Sequence, residues 1–417
     1  MAKHIRHVVI GNSAAALSAI KSIRETDHSS SIFLISAENC NAYSPVLITY
    51  YLSGKISRKD LFIVDDHFYN DNEVERIFGN KALELDPKKQ MVYLEDGRKI
   101  LYDNLLIATG ASANYPNELR KNFQNVFTLR NIKDMERILK LSNKAGEIVI
   151  IGGGLVSLQI ADALSKKKAR ITFIISSKQV LSRNIDVECA SIVKKKIESR
   201  GISIYFENEV KEIKKIKDKA CLITNSGKDL KADMVIIGKG VTSNTQLGQN
   251  TSIKINKGIL VNDSMRTNIE NIFAAGDVAE VNSLLIDESD VFLGWLNACE
   301  QGRVAGLNMV GCKESYRGGL NENISTIFGL NIAAVGFSRS NGNKFEVLKF
   351  SDHKRKVYRK LLLDNNKIMG TVLLGRIEDA GLIRNLIRRK MDISFYKDKI
   401  ISNLFNLGKI LIPLTNR

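Results

Sequence analysis

The sequence predicts an α/β protein with two Rossmann-like strand–turn–helix units and a C-terminal α+β module. Three observations predict it. First, HVVIGNSAAALSAI (His7 to Ile20) and EIVIIGGGLVSLQIADAL (Glu147 to Leu164) each set a small-residue turn between an apolar strand and a helix. Second, the apolar runs Val8–Ile10, Ile32–Ile35, Leu105–Ala108, Ile148–Ile151, Ile171–Ile175 and Met234–Ile237 alternate with helix-period segments. That alternation is the βαβ pattern of parallel sheets. Third, the texture changes from about Tyr316. VYRKLLLDNNKIMGTVLLG (Val357 to Gly375) then reads as two strands joined by an Asp-Asn-Asn turn, and EDAGLIRNLIRRKM as a basic amphipathic helix.

Each turn has a chemical reason. A dinucleotide turn needs small residues so that the backbone can approach a pyrophosphate, and the next helix aims its free N–H groups at the phosphates. In the first turn the small positions are Gly11, Ser13 and Ala16, and only one is glycine. In the second they are Gly152, Gly154 and Ser157, with an extra Gly153. Two such turns imply two dinucleotides, the equipment for passing a hydride from one to the other. An acidic residue often closes the second strand of such a unit and holds a ribose hydroxyl. After Ile171–Ile174 that position is Ile175, followed by Ser176, Ser177 and Lys178. Without the acid, those three could bind a 2′-phosphate, so NADPH and NADH both stay open.

The bulk numbers exclude other classes. The 417 residues are 44% hydrophobic, enough for two or three ordinary cores. The chain carries 62 basic and 45 acidic residues, a net +17. This favours acidic partners. No block of like charge marks a nucleic-acid tail. The cysteines, Cys40, Cys189, Cys221, Cys299 and Cys312, are scattered with no CxxC, so no redox disulfide, metal or cluster site is expected. Scattered thiols, a start that runs straight into a strand and no membrane-length apolar run point to the cytoplasm. The histidines His4, His7, His28, His67 and His353 sit in no motif, and each is expected to be at the surface or satisfied.

A third element joins the two turns. TNIENIFAAGDVAE (Thr267 to Glu280) ends a strand in Gly276-Asp277. With YDNLLIATGA (Tyr102 to Ala111) and MVIIGKGVTSNT (Met234 to Thr245), it resembles the FAD/NAD(P)-dependent pyridine nucleotide oxidoreductase superfamily over Val8 to about Gly311. NAYSPVLITYYLSGKI (Asn41 to Ile56), GWLNACEQGRVAGLNMVG (Gly294 to Gly311) and the C-terminal module resemble the rubredoxin-reductase and nitrite-reductase-like flavoproteins of anaerobic bacteria. They also resemble the flavin oxidoreductases found beside carbon monoxide dehydrogenases and their iron–sulfur protein.

The resemblance implies an FAD domain (1–115 and 242–316) with an inserted NAD(P) domain (116–241) and a C-terminal interface or dimerisation domain (317–417). It implies FAD on Gly11, Ser13, Ala14, Ala15, Glu38, Ala82, Thr109, Gly110, Arg130, Gly276 and Asp277. Asp277 takes the ribitol hydroxyls. It implies NAD(P)H on Gly152, Gly154, Leu155, Val156, Gln159, Ser176, Ser177, Lys178, Gly238 and Gly240. Tyr50, Trp295 and Glu300 are the near-flavin candidates, with no protein acid or base required. The helix opened by Gly294-Trp295 is expected to bring its N-terminus into the core, at the flavin's pyrimidine end.

Departures from the family narrow the chemistry. The redox cysteine of relatives that reduce disulfides or peroxides falls on Val46, which can form neither a disulfide nor a sulfenic acid. Cys40 reads as an incidental thiol. The lysine that some relatives place near the flavin has Tyr50 as its nearest equivalent, and a common glutamate is Gln159. The expectation is a flavoprotein that moves hydride between NAD(P)H and FAD. Single electrons then pass to or from a separate iron–sulfur or rubredoxin-like protein. The alternatives are a stand-alone NAD(P)H oxidase or disulfide/sulfur reductase, and a flavin-bound scaffold without catalysis. The tail, Tyr396 to Leu414, places apolar residues on one helical face and is expected to dock on its own chain or a dimer mate, with membrane or redox-partner binding as the alternative.

Overall fold

A computed structural model describes residues 5–116, 119, 123–339 and 345–401. The tail beyond 401 and His4 lie outside the described residues. The chain divides into two compact units: Met1–Leu47, Ile56–Ser112 and Val241–Leu320 form one, and Ile48–Lys55, Ala113–Gly240 and Asn321–Arg417 the other.

The first unit is built on a five-stranded parallel sheet. Its order is Ile272–Ala274, Asn104–Ile107, Arg6–Ile10, Ser31–Ser36, Val74–Phe78. The central strands read as unbroken apolar runs because both faces are covered. Val8, Val9, Leu105, Leu106 and Ile107 have no exposure at all. The helix Ala14–Thr26 follows the first turn and packs along the helix Trp295–Met309. Small residues at helical spacing make this packing close. A Cβ on Gly302 would lie 2.1 Å from the Ala15 carbonyl oxygen, and one on Gly306 2.5 Å from that of Ala19. The two backbones therefore touch, and the first turn is held from behind.

One expectation fails in this unit. His7 lies in the central strand, wholly buried, and neither ring nitrogen has a hydrogen-bond partner. It is neither a surface nor a satisfied histidine. Alternation within the strand placed it facing the core, and a parallel strand buried on both faces has no polar side to offer it.

The second unit holds another five-stranded parallel sheet, in the order Ser203–Tyr205, Arg170–Ile174, Glu147–Ile151, Met234–Ile237, Val126–Phe127. It also holds an antiparallel sheet of the C-terminal segment, in the order Glu322–Ile327, Leu330–Gly336, Lys367–Leu374, Val357–Asp364, Glu346–Asp352. The Asp-Asn-Asn turn forms as read, with Asn365 and Asn366 both left-handed (φ 47° and 61°), the requirement of the mirror-image hairpin turn. The basic helix is Ala380–Arg388, which buries Ile383, Leu386 and Ile387. Asp186 ties this sheet to the nucleotide-type sheet. It accepts the Cys189 amide at the start of the helix Val187–Glu198, the Tyr358 hydroxyl at 2.5 Å and the Lys360 ammonium at 2.8 Å. Those bonds hold its carboxyl below the ordinary aspartate range against the opposing effect of burial.

Candidate functional site

In the first unit, residues far apart in sequence converge on the turn. Gly11 is left-handed (φ 117°), and a Cβ there would sit 2.1 Å from the Ala108 carbonyl oxygen. Only glycine fits between the strands. Gly276 lies against Ala15: a Cβ on Gly276 would be 3.3 Å from the Ala15 Cβ. Its amide donates to Gln301 Oε1 at 2.7 Å, in a fully buried pair. Asp277 is half-buried, and a carboxylate oxygen accepts the Gly294 amide at 3.3 Å. Thr109 and Gly110 are clamped by Asn244, which donates to the Thr109 carbonyl at 2.8 Å and accepts the Thr109 hydroxyl on its own carbonyl. Glu38, just past the second strand, accepts the Tyr43 hydroxyl at 3.0 Å. Asn12 donates to the Cys40 carbonyl and accepts the Tyr69 hydroxyl, so the 38–43 loop is tied to the turn. Ala82 is buried at the start of the strand Ala82–Asp86.

Helix starts discriminate between structural and ligand-facing ends. Among the described residues, five helices have ten or more residues. Two of them, Ile132–Ser142 and Val187–Glu198, are closed by a side-chain cap and carry an acid in the first turn. The other three, Ala14–Thr26, Leu155–Leu164 and Trp295–Met309, have neither. Their N–H groups and positive dipole ends face no carboxylate of their own, as an anion site requires. Ala14 and Ala15 lie in the first of these turns. At the N-terminus of Trp295–Met309, Gly294, Leu293 and Leu296 are exposed, while Asn297 and Gln301 further along are buried. The left-handed Gly294 (φ 131°) turns the chain into this helix beside the Asp277 carboxylate. Trp295 is half-buried against the first unit's core, and Glu300 is half-buried.

The second unit repeats the turn geometry. Gly152 is left-handed (φ 105°), and a Cβ there would lie 2.3 Å from the Gly238 carbonyl oxygen. Gly238 in turn backs onto Ser157, and Gly240 is left-handed. Gly154 starts the helix, Leu155 is half-buried and Val156 is exposed at the open end. Gln159 donates from its amide nitrogen to the Ser325 hydroxyl at 2.8 Å. Tyr50 lies in the short helix Ile48–Leu52, beside Leu155–Leu164, with the Lys55 ammonium 5.1 Å from its ring centre. A small cavity is lined by Tyr50, Lys55, Gln159 and Asp162. A lysine therefore does stand in this neighbourhood, five residues past Tyr50. The Arg130 amide donates to Asp134 at 3.0 Å, just before Ile132–Ser142. At the end of Arg170–Ile174, Ile175 is buried and packs on Gly153, Ser176 is exposed, and the Ser177 hydroxyl donates to the Gln179 carbonyl at 2.8 Å.

Of these partners, Asn244, Gln301 and Lys55 fall within motifs read from the sequence but received no role there, and Ser325 lies outside every motif. Val46 is exposed and Cys40 half-buried, and none of the five cysteines is in a disulfide. Among the described residues no group of three or more His, Cys, Asp or Glu is placed to hold a metal ion, and no helix is long and apolar enough to cross a membrane. The residues present fit two dinucleotides: both turns leave space that only glycine permits, and both open onto uncapped helix ends.

Two such sites on parallel sheets in one chain define a dinucleotide-binding oxidoreductase. The chain belongs to the pyridine nucleotide-disulphide oxidoreductase family, whose model matches residues 5–302, and the rubredoxin NAD+ reductase C-terminal domain matches residues 323–391. It is an FAD-dependent enzyme that uses NAD(P)H. It is 27% identical to the NADH-rubredoxin oxidoreductase of Clostridium acetobutylicum, over 96% of this chain and 100% of that protein. It is 25% identical to the assimilatory nitrate reductase electron transfer subunit of Bacillus subtilis, over 96% of this chain, and spans about half of that relative, 51%. The fold is that of the covalent putidaredoxin reductase–putidaredoxin complex, with a TM-score of 0.91, 21% identity and 99% coverage of both chains.

Proposed function

We propose that this chain moves a hydride between NAD(P)H and FAD and exchanges single electrons with a separate iron–sulfur or rubredoxin-like protein. The carrying observation is the pair of uncapped, acid-free turns in a chain with valine where a redox cysteine would stand. FAD supplies the conversion between two-electron and one-electron chemistry. Gly11, Ser13, Ala14 and Ala15 hold its pyrophosphate, with Thr109, Gly110 and Gly276 shaping the bed. Asp277 accepts its ribitol hydroxyls, and Glu38 and Ala82 border the adenosine end. Trp295 and Glu300 complete the flavin surroundings of the first unit. The uncapped end of Trp295–Met309 stabilises negative charge near it. Gly152, Gly154, Leu155, Val156, Gly238 and Gly240 hold the nicotinamide nucleotide, and Gln159 offers its free carbonyl oxygen to the carboxamide.

The same reading places the protein in the cytoplasm as a homodimer and extends to a carbon monoxide dehydrogenase-type complex. Similarity to an electron transfer subunit of a larger enzyme supports that setting. Anaerobic stopped-flow is the test. The NADH-reduced protein is mixed with rubredoxin or a ferredoxin, or with air-saturated buffer. Fast reoxidation by the iron protein and sluggish reoxidation by air is expected. Catalytic turnover with air alone would replace this reading by an oxidase.

A further inference from the structure

The second turn lacks an acid on its own strand, but the neighbouring strand supplies one. Ser203–Tyr205 pairs in parallel with Arg170–Ile174, with Ile174 opposite Tyr205. Beyond the strands the two segments stay hydrogen-bonded, although the ladder shifts by a residue. The Asn208 amide donates to the Ile175 carbonyl at 3.1 Å and the Glu207 amide to the Ser177 carbonyl at 3.4 Å. Glu207 itself is left-handed (φ 52°), a conformation that a glutamate seldom adopts. Its carboxylate lies 4.0 Å from the Lys178 ammonium, and both side chains are exposed. Meanwhile Ile175 is spent on packing: a Cβ on Gly153 would come within 2.7 Å of it. The Ser177 hydroxyl is committed to the Gln179 carbonyl.

We infer that Glu207, acting across from Ser176 and Lys178, sets the adenosine 2′ specificity of the second turn in favour of NADH. This rests on reading that turn as the NAD(P)H site. Lys178 is the cation in the Ser176–Lys178 segment that would meet a 2′-phosphate, and Glu207 offsets it. A phosphate carrying nearly two negative charges then meets no net positive partner and a like charge as well. A 2′-hydroxyl, by contrast, gains a carboxylate acceptor that Ile175 cannot offer. An exposed pair at 4.0 Å adds little to stability, so it can be altered without unfolding the protein.

The test is calorimetric titration of the purified flavoprotein with ADP-ribose and with 2′-phospho-ADP-ribose, which bind without being turned over. Wild type is expected to prefer ADP-ribose. Glu207→Gln should tighten 2′-phospho-ADP-ribose about fivefold, as expected for one exposed charge, and leave ADP-ribose within about twofold. Lys178→Gln should weaken only the phosphorylated ligand, and both effects should shrink as salt rises. If both ligands bind and Glu207→Gln leaves their ratio unmoved, or if wild type prefers the phosphorylated one, Glu207 does not set specificity. If neither binds, the second turn is not a nicotinamide nucleotide site, and the inference falls with that reading.

Discussion

His7 is the residue whose surroundings most oppose its chemistry. Burial lowers its pKa from 6.5 to about 4, against the pull of Asp27 and Asp103, with Arg24 adding to the lowering. The folded chain thus resists a proton that the unfolded chain accepts. This contribution to stability is complete above pH 6.5 and is lost as pH falls toward 4. The shift amounts to about 3 kcal/mol across that window. Replacing the ring with an apolar side chain that suits a buried strand removes the penalty. His7→Val is expected to lose less stability than wild type between pH 7 and pH 4.5, measured as the shift in urea midpoint. Equal acid losses in the two proteins would assign the pH dependence to other groups. The sequence displays His7 plainly, but the absence of a partner for it depends on what the fold places around it. Glu207 is similar: its number is visible, but its closeness to Lys178 comes from the pairing of two strands thirty positions apart.

At the scale of elements, what could be read in the sequence was local. The strands Arg6–Ile10, Glu147–Ile151 and Met234–Ile237 are continuous apolar runs because parallel strands are covered on both faces. Both turns show their glycines directly. Contacts between elements were not readable, since no periodicity in Trp295–Met309 says which helix it meets. Gly302 and Gly306 look like helix-weakening residues in isolation. In the fold they let that helix touch Ala15 and Ala19, the backbone directly behind the first turn. Gly302→Ala would drive a methyl to 2.1 Å from a backbone oxygen, so the helices must part. The expected cost is about 1–3 kcal/mol, the usual range for overpacking. Because Ala15 sits in the turn, the variant should also retain less FAD. Thermal unfolding and the ratio of flavin to protein absorbance in purified samples check both parts. A destabilised protein with full flavin content would show that the helix pair supports the fold without shaping the turn.

For the whole molecule, the decisive facts are a charge and an absence. The described residues hold no disulfide, and the chain has no CxxC, so electrons taken from NAD(P)H have no second protein-borne stop in the described structure. In the proposed reading, electron exchange with a separate redox protein occurs by encounter, and encounter rates respond to charge. With a net +17, an acidic redox protein is drawn in from beyond contact distance. The attraction reaches about 10 Å at 0.1 M salt and about 3 Å at 1 M. Reduction of an acidic rubredoxin or ferredoxin should therefore slow by at least about tenfold between low and high salt, through the association rate. Hydride uptake from NADH and reduction of an uncharged dye, which need no steering, should change far less. Stopped-flow traces with all three partners at matched ionic strengths separate the effects. A parallel decline in all three would mean that salt acts on the nucleotide site or the fold. Salt-independent rates for the protein partner would mean that the positive charge plays no part in choosing it.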